Sequence, residues 1–131
     1  MLHFNPYFLD ASLLLMRAGV AIVFCYAGLS HLRNAAASAR DMGMSVGFTR
    51  LLGVAEAAGG AAVGVGLLTQ VAALGLVVIM LGAIYKRAFY WKLGFWGRNE
   101  DTNDGWHYDL MFLAMNLVIA ATDGGRFVLR P

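Results

Sequence analysis

The segment Arg50–Thr69, RLLGVAEAAGGAAVGVGLLT, is a run of 20 residues that are almost all apolar or small. As an α-helix rising about 1.5 Å per residue, it is long enough to cross the roughly 30 Å hydrocarbon core of a bilayer. One carboxylate, Glu56, lies inside it. Because insertion of an acidic residue at the centre of a membrane helix costs about 2.5 to 3.5 kcal/mol, we expect neighbouring helices to give Glu56 a partner, a proton or a pore.

The composition of the whole chain agrees with a membrane protein. Of its 131 residues, 60% are hydrophobic and 14% are charged, against about 25% charged residues in soluble proteins. The length predicts a single domain over residues 1–131. A net charge of +2, without a basic stripe, argues against a nucleic-acid partner. The lone cysteine, Cys25, excludes an intrachain disulfide, and we expect it to be a packed core residue.

Four apolar segments predict an all-α integral membrane four-helix bundle, with spans over about residues 12–32, 50–68, 71–91 and 106–122. Residues 1–10 are expected to be an aromatic interfacial lead-in to a retained helix rather than a signal peptide, because they lack a positive region. A two-residue turn at Thr69-Gln70 makes spans two and three an antiparallel hairpin. We expect a short amphipathic surface helix between spans one and two, and a polar loop before span four.

Lysine and arginine counts predict the orientation. Seven of these residues lie in or beside the two long connections, and two lie in the C-terminal tail. Because positive loops stay in the cytoplasm, we expect both long loops to be cytoplasmic and both termini to be outside.

Glycines at 60 and 64 are predicted to form a helix-packing face. They lie four residues apart, so they stack on one side of span two and allow a neighbouring backbone to approach closely. The partner is either another helix of the same bundle or, as the alternative, a second copy or another subunit.

Arg17 and Glu56 are the deepest opposite charges and are predicted to form an intramembrane polar pair. The span boundaries place them about 10 Å apart in depth, a gap that the long arginine side chain could bridge. Such a pair either fixes helix register as a structural ion pair or provides a polar centre for a headgroup, a proton or a quinone.

A second set of polar residues gathers where three span ends meet. We predict a quinone or headgroup site from Tyr85, His107, Asp109, Asn116 and His31. A pair of His107 and Asp109 beside an aromatic edge suits a quinone carbonyl, where a hydrogen-bond donor stabilises developing charge. The alternative is a set of polar surface residues without a ligand. His31 and His107 lack the spacing and partners of a haem or metal site, so no metal is predicted.

In the order and spacing of its short motifs, the chain resembles the DoxX family of small four-helix membrane proteins. The resemblance rests on Arg17, residues 27–32 (AGLSHL), Glu56 with Gly59-Gly60, residues 66–69 (GLLT), residues 105–108 (GWHY) and residues 124–127 (GGRF). Relatives commonly carry lysine where this chain has His31, and Glu-Tyr where it has His107-Tyr108.

The resemblance implies a function in respiratory or sulfur redox chemistry. Relatives occur as subunits of quinone-linked oxidoreductases, and others accompany thiol-redox enzymes. It therefore implies a subunit of a bacterial or archaeal cytoplasmic-membrane complex, surrounded by lipid and partner subunits and not catalytic alone, with quinone as the one candidate cofactor. The rival interpretation is a purely structural or assembly subunit of a larger respiratory or photosynthetic complex.

Overall fold

A computed structural model describes residues 5–90, 92–96, 105–125 and 128, except for the side chains of Asp41 and Met42. Within these ranges the chain forms helices and no strand. The helices are α1 (Pro6–Arg33), α2 (Ala35–Met42), α3 (Val46–Val65), α4 (Thr69–Tyr85) and α5 (His107–Thr122), and α4 continues into one π-helical turn, Lys86–Tyr90.

Helix α1 begins six residues before the predicted span. The side chain of Asn5 accepts a hydrogen bond from the backbone N–H of Tyr7 at 2.9 Å, and Pro6 occupies the first turn. This N-cap and proline start the helix inside the segment predicted to be an interfacial lead-in. At 28 residues, or about 42 Å, α1 exceeds the thickness of the hydrocarbon core.

The α3–α4 turn lies slightly earlier than predicted. Gly66 adopts a left-handed conformation (φ 81°), and the backbone N–H groups of Gly66 and Leu67 both donate to the carbonyl of Ala62. A glycine in this conformation ends a helix without the steric penalty of a Cβ atom. Helix α3 therefore ends at Val65, and Thr69 already belongs to α4.

The helices pack as two antiparallel pairs, α1 with α3 and α4 with α5, joined by the α3–α4 turn. We call the end of the bundle that carries this turn the hairpin end. The opposite end, where α1 and the π turn finish and α3 and α5 begin, is the loop end. The short helix α2 follows α1 at the loop end and buries Ala35 and Ala39.

Glycines bring α1 and α3 into backbone contact. A Cβ atom added to Gly28 would lie 2.5 Å from the carbonyl oxygen of Gly53, and one added to Gly60 would lie 2.9 Å from Cβ of Phe24. At Gly64 the same addition would approach Cβ of Ala21 to 2.7 Å. The predicted glycine face at 60 and 64 is thus covered by α1 of the same chain.

Apolar side chains cover the outside of the bundle. Leu15, Ile22, Val71 and Val78 are each between 68% and 76% exposed, as expected for helices that face lipid. Three helices are long and apolar enough to cross a membrane: Pro6–Arg33, Val46–Val65 and Thr69–Tyr90. Helix α5 is a shorter apolar helix of 16 residues, so the fourth crossing stays a prediction.

Part of the predicted organisation lies outside the described residues. This applies to Trp91, which ends the predicted third span, and to Arg98, Arg126 and Arg130 of the charge count.

Candidate functional site

Glu56 is paired with a histidine at the loop end. It lies on the buried face of α3 and is 4% exposed. Its Oε1 atom is 3.3 Å from Nδ1 of His31, in the last turn of α1. Nδ1 is buried and has no aligned hydrogen-bond partner among the described residues, so the two groups meet at ion-pair distance without hydrogen-bond geometry. The partner expected for Glu56 is thus the imidazole of His31.

Arg17 caps the end of α3. Its side chain is 1% exposed, and Nε and Nη2 donate to the carbonyls of Val63 and Gly64, each at 2.9 Å. Nη1 donates to the carbonyl of Gly124 at 3.3 Å, just beyond α5. The last carbonyls of a helix have no intrahelical donor, and a cation there also complements the helix dipole. The guanidinium group therefore joins α1, α3 and the exit of α5 at the hairpin end.

The structure does not bring Arg17 and Glu56 together. Arg17 lies beside Val63, which is seven residues, or about 10 Å, along α3 from Glu56. The antiparallel register sets this separation, because it places the start of α1 against the end of α3. The predicted polar pair is thus two polar sites at different depths.

A second ion pair, between a buried acid and a half-buried arginine, joins the π turn after α4 to α5 at the loop end. Asp109 is 7% exposed, and its Oδ2 atom lies 3.3 Å from Nε of Arg87 in the π turn. Nη1 of Arg87 also reaches the carbonyl of Gly105 at 3.5 Å. A π turn changes the direction of the side chains that follow it, and such turns are frequent at functional sites. Here the turn carries Arg87, which meets the first turn of α5.

His107 is fixed inside a group of aromatic rings. Its backbone N–H donates to the carbonyl of Phe95 at 3.1 Å, and its Nδ1 lies 2.8 Å from the same oxygen. Because a carbonyl only accepts hydrogen bonds, Nδ1 carries the hydrogen, and Nε2 of the neutral ring is an acceptor. The rings of Phe95, Trp96 and Tyr108 lie with centroids 4.6 to 5.9 Å from the imidazole.

The other two residues predicted for this site lie elsewhere. The ring of Tyr85 is 64% exposed and contacts Phe89, at 5.6 Å between centroids. Asn116 is fully buried, and its Nδ2 donates to the carbonyl of Phe112 at 2.9 Å. Asp109 and Asn116 do lie on the same buried side of α5, two turns apart. Asn116 is thus a core residue, and Tyr85 belongs to the outer surface.

Comparison with protein families shows to which family the chain belongs. The family model DoxX matches residues 12–90, which is more than half of the sequence. The chain belongs to the DoxX family. No curated protein and no solved structure matches it. The matched range contains Arg17, His31, Glu56 and Arg87 and ends before α5, so it is narrower than the nearly full-length resemblance suggested by the motifs.

Family membership and three long apolar helices together identify this DoxX protein as an integral membrane protein. Its buried charged side chains lie toward the two ends of the bundle. Arg17 lies at the hairpin end, and the pairs of Glu56 and Asp109 lie at the loop end. Apolar core residues separate them, including the edge-to-face contact of Phe24 and Phe112 at 5.7 Å.

Sequence reasoning did not select Arg87 or Phe95 in the DoxX protein as site residues. Arg87 counts among the basic residues beside the second long connection, although a buried acid at the start of span four requires a cation nearby. Antiparallel neighbours bring those two ends together, so the proximity was accessible from the predicted topology. The role of the Phe95 carbonyl carries no sequence signal, because it depends on the path of a loop.

Proposed function

We propose that this DoxX protein is a small membrane subunit of a quinone-linked redox complex and binds a quinone or quinol headgroup at its loop end. The observation that carries the proposal is the fixed imidazole of His107 two residues before the buried acid Asp109, which is paired with the half-buried Arg87. These groups combine a directed acceptor, a cation and a carboxylate at the end of an apolar bundle.

The residues present fit a headgroup of this kind. Oδ2 of Asp109 is buried and has no aligned hydrogen-bond partner among the described residues, although Arg87 lies within ion-pair distance. Buried polar atoms without a partner are rare and call for an explanation such as a ligand or water. Trp96, which is 67% exposed, and Phe95 provide ring faces for a flat aromatic ligand.

Each side chain has a defined role in this proposal. Nε2 of neutral His107 accepts a hydrogen bond from a quinol hydroxyl, and a protonated imidazole donates to a quinone carbonyl instead. Asp109 accepts a second hydroxyl proton, and Arg87 balances the carboxylate charge. When bound, a quinone supplies two-electron, two-proton chemistry. The electrons would pass to a partner subunit when a quinol is oxidised and come from it when a quinone is reduced, because the sequence contains no cofactor-binding motif.

Binding is tested by tryptophan quenching in lipid nanodiscs. The three tryptophans lie at positions 91, 96 and 106, close in sequence to the site, so titration with a short-chain quinol and its quinone should quench them saturably. We expect Asp109→Asn to weaken quinol binding at least tenfold, equivalent to about 1.4 kcal/mol. His107→Leu should weaken it similarly.

The matched control is Asp10→Asn. Asp10 is 7% exposed, as Asp109 is, but it lies in the first turns of α1 at the hairpin end. We expect this variant to bind quinol as the wild-type protein does. Equal affinity in the wild-type and Asp109→Asn proteins would contradict the proposed site, and absence of saturable quenching would favour the structural-subunit alternative.

We further propose that α5 completes a fourth crossing and that the loop end faces the cytoplasm of a bacterial or archaeal cell. The excess of positive charge at the two long connections supports this orientation. In a Cys25→Ser background, an impermeant maleimide applied to intact cells should label Leu67→Cys at the hairpin end. Ala36→Cys, an exposed position on α2, should react only after the membrane is opened. The reverse labelling pattern would show that the loop end faces outward and would contradict the proposed orientation.

A further inference from the structure

We propose that His31 and Glu56 form a proton-exchange site that connects a buried carboxyl group with the loop end of the bundle. The site lies at the contact between α1 and α3, and its proton exchange does not depend on a quinone being bound elsewhere.

The carboxyl group is enclosed by closely packed backbone. Glu56 lies between Gly53 and Gly60 on the buried face of α3, and both glycines are in contact with α1. The side chain of Glu56 is 6% exposed, and the imidazole of His31 is the group found at ion-pair distance from it. Proton transfer between a carboxyl group and a partner at about 3 Å is direct, whereas transfer to water from a closed site requires the structure to open.

His31 is placed to act as the exit from this enclosed site. It lies in the last turn of α1, and 21% of its side chain is exposed although its Nδ1 atom is buried. The exposed part of the imidazole is therefore the remainder of the ring. One nitrogen faces the carboxyl group, and the rest of the ring reaches the surface of the loop end.

The imidazole of His31 and the carboxyl group of Glu56 are close to each other but are not held by a hydrogen bond. Nδ1 and Oε1 are 3.3 Å apart without hydrogen-bond alignment, and Nδ1 has no other aligned partner among the described residues. A ring held by strong hydrogen bonds on both nitrogens could not exchange protons without breaking one of them. Alignment of the donor and acceptor therefore does not require Nδ1 to break a hydrogen bond with another described residue.

The proton balance of the exchange is simple. The carboxylic acid form of Glu56 transfers its proton to Nδ1 of His31, which leaves a carboxylate and an imidazolium. The imidazolium then releases the proton from Nε2 to water at the loop end, and a ring flip or tautomeric exchange restores the starting imidazole. No electron transfer and no other reactant are involved.

The other titratable groups on the elements packed around this contact do not pair with Glu56. Arg33 on α1 and Arg50 on α3 are both exposed. On α1, Cys25 lies near the site, with Sγ 3.5 Å from the carbonyl of Ala57. The titratable side chain of α4 is Tyr85, which is exposed. On α2, Arg40 is exposed, and the side chain of Asp41 lies outside the described part of the chain. The acid Asp109, on α5, is paired with Arg87.

Infrared difference spectroscopy after a pH jump, on protein in lipid nanodiscs and without added quinone, tests the proposal. The carboxyl band lost in Glu56→Gln identifies Glu56. We expect the response of this band to slow at least tenfold in His31→Ala and to recover when imidazole is added to the buffer. Arg33→Gln is the matched control, because Arg33 lies in the same last turn of α1 as His31 but is exposed, and in this variant the Glu56 band should respond at the wild-type rate.

His31→Gln provides a second variant in case the alanine substitution prevents folding. It retains a polar side chain but cannot carry a proton between two nitrogens, so the slow response should persist. A Glu56 band that responds equally fast in both His31 variants would overturn the proposal, as would a Glu56 band that never responds to pH in the wild-type protein. Because no quinone is present in this experiment, neither result bears on the proposed headgroup site, which the quinol-binding titration tests separately.

Discussion

Arg17→Gln is expected to lower the free energy of unfolding of the bundle by about 3 to 5 kcal/mol, enough to prevent a marginally stable membrane protein from assembling. The guanidinium group donates to the carbonyls of Val63, Gly64 and Gly124, and it is 1% exposed. In this enclosed site water cannot replace the lost donors, and each unsatisfied carbonyl carries its own desolvation cost. Arg17→Lys should rescue little, because an ammonium group lacks the fork that reaches several carbonyls.

Unfolding in mixed micelles, followed by circular dichroism, measures the effect of Arg17→Gln. Arg33→Gln is the matched control, because Arg33 belongs to the same helix but is exposed at the loop end. The control should unfold with the wild-type midpoint. If Arg17→Gln unfolded at that midpoint too, Arg17 would not hold the hairpin end together.

Gly28→Ala is expected to separate α1 from α3 and to lower stability by about 2 to 3 kcal/mol, because a single methyl group has no room. Its Cβ atom would lie 2.5 Å from the carbonyl oxygen of Gly53 and 2.6 Å from the backbone nitrogen of Ala57. Both atoms are main chain, so relief requires a helix to move. That movement would also disturb the contact between His31 and Glu56, one turn away.

Gly19→Ala supplies the comparison within the same helix. A Cβ atom added to Gly19 meets nothing within 4 Å, and alanine favours the helix by about 0.8 to 1 kcal/mol over glycine. The same unfolding assay should therefore show Gly19→Ala at or slightly above wild-type stability. Similar midpoints for the two variants would mean that α1 and α3 do not pack through Gly28.

The helical architecture was predictable from sequence because it depends on local signals. Long apolar runs give membrane-length helices, and the short connection after span two makes a hairpin, although α3 ends at Val65, before Gly66, rather than at the predicted turn of Thr69-Gln70. The closely packed face at Gly60 and Gly64 follows from their four-residue spacing. The early start of α1 differs from the predicted lead-in because the side chain of Asn5 caps the helix, whereas Pro6 alone is compatible with either an extended start or a first helical turn.

The partners of the buried charges were harder to predict because they depend on register. The span boundaries predict different depths for Arg17 and Glu56, separated by about 10 Å. Which carbonyls or side chains lie opposite each residue depends on how α1 is placed against α3. The contact between Gly28 and Gly53 sets that placement, and it brings His31 rather than Arg17 beside Glu56.

The loop-end site was predictable in part. His107 and Asp109 were selected from their position at the start of span four. Tyr85 was included because it ends span three, but at this point the helix directs it outward, and the π turn that follows presents Arg87 to Asp109. Helical spacing alone does not predict a π turn. That Arg87 rather than Tyr85 contacts Asp109 is therefore known only from the structure.

A density map of the natively purified assembly in lipid nanodiscs shows whether the loop end binds a quinone headgroup. We predict a flat headgroup density at the loop end, within hydrogen-bond distance of His107 Nε2 and beside the Arg87–Asp109 pair. A loop end filled by a partner's side chains or by lipid tails, with no headgroup beside His107, would contradict the proposed site.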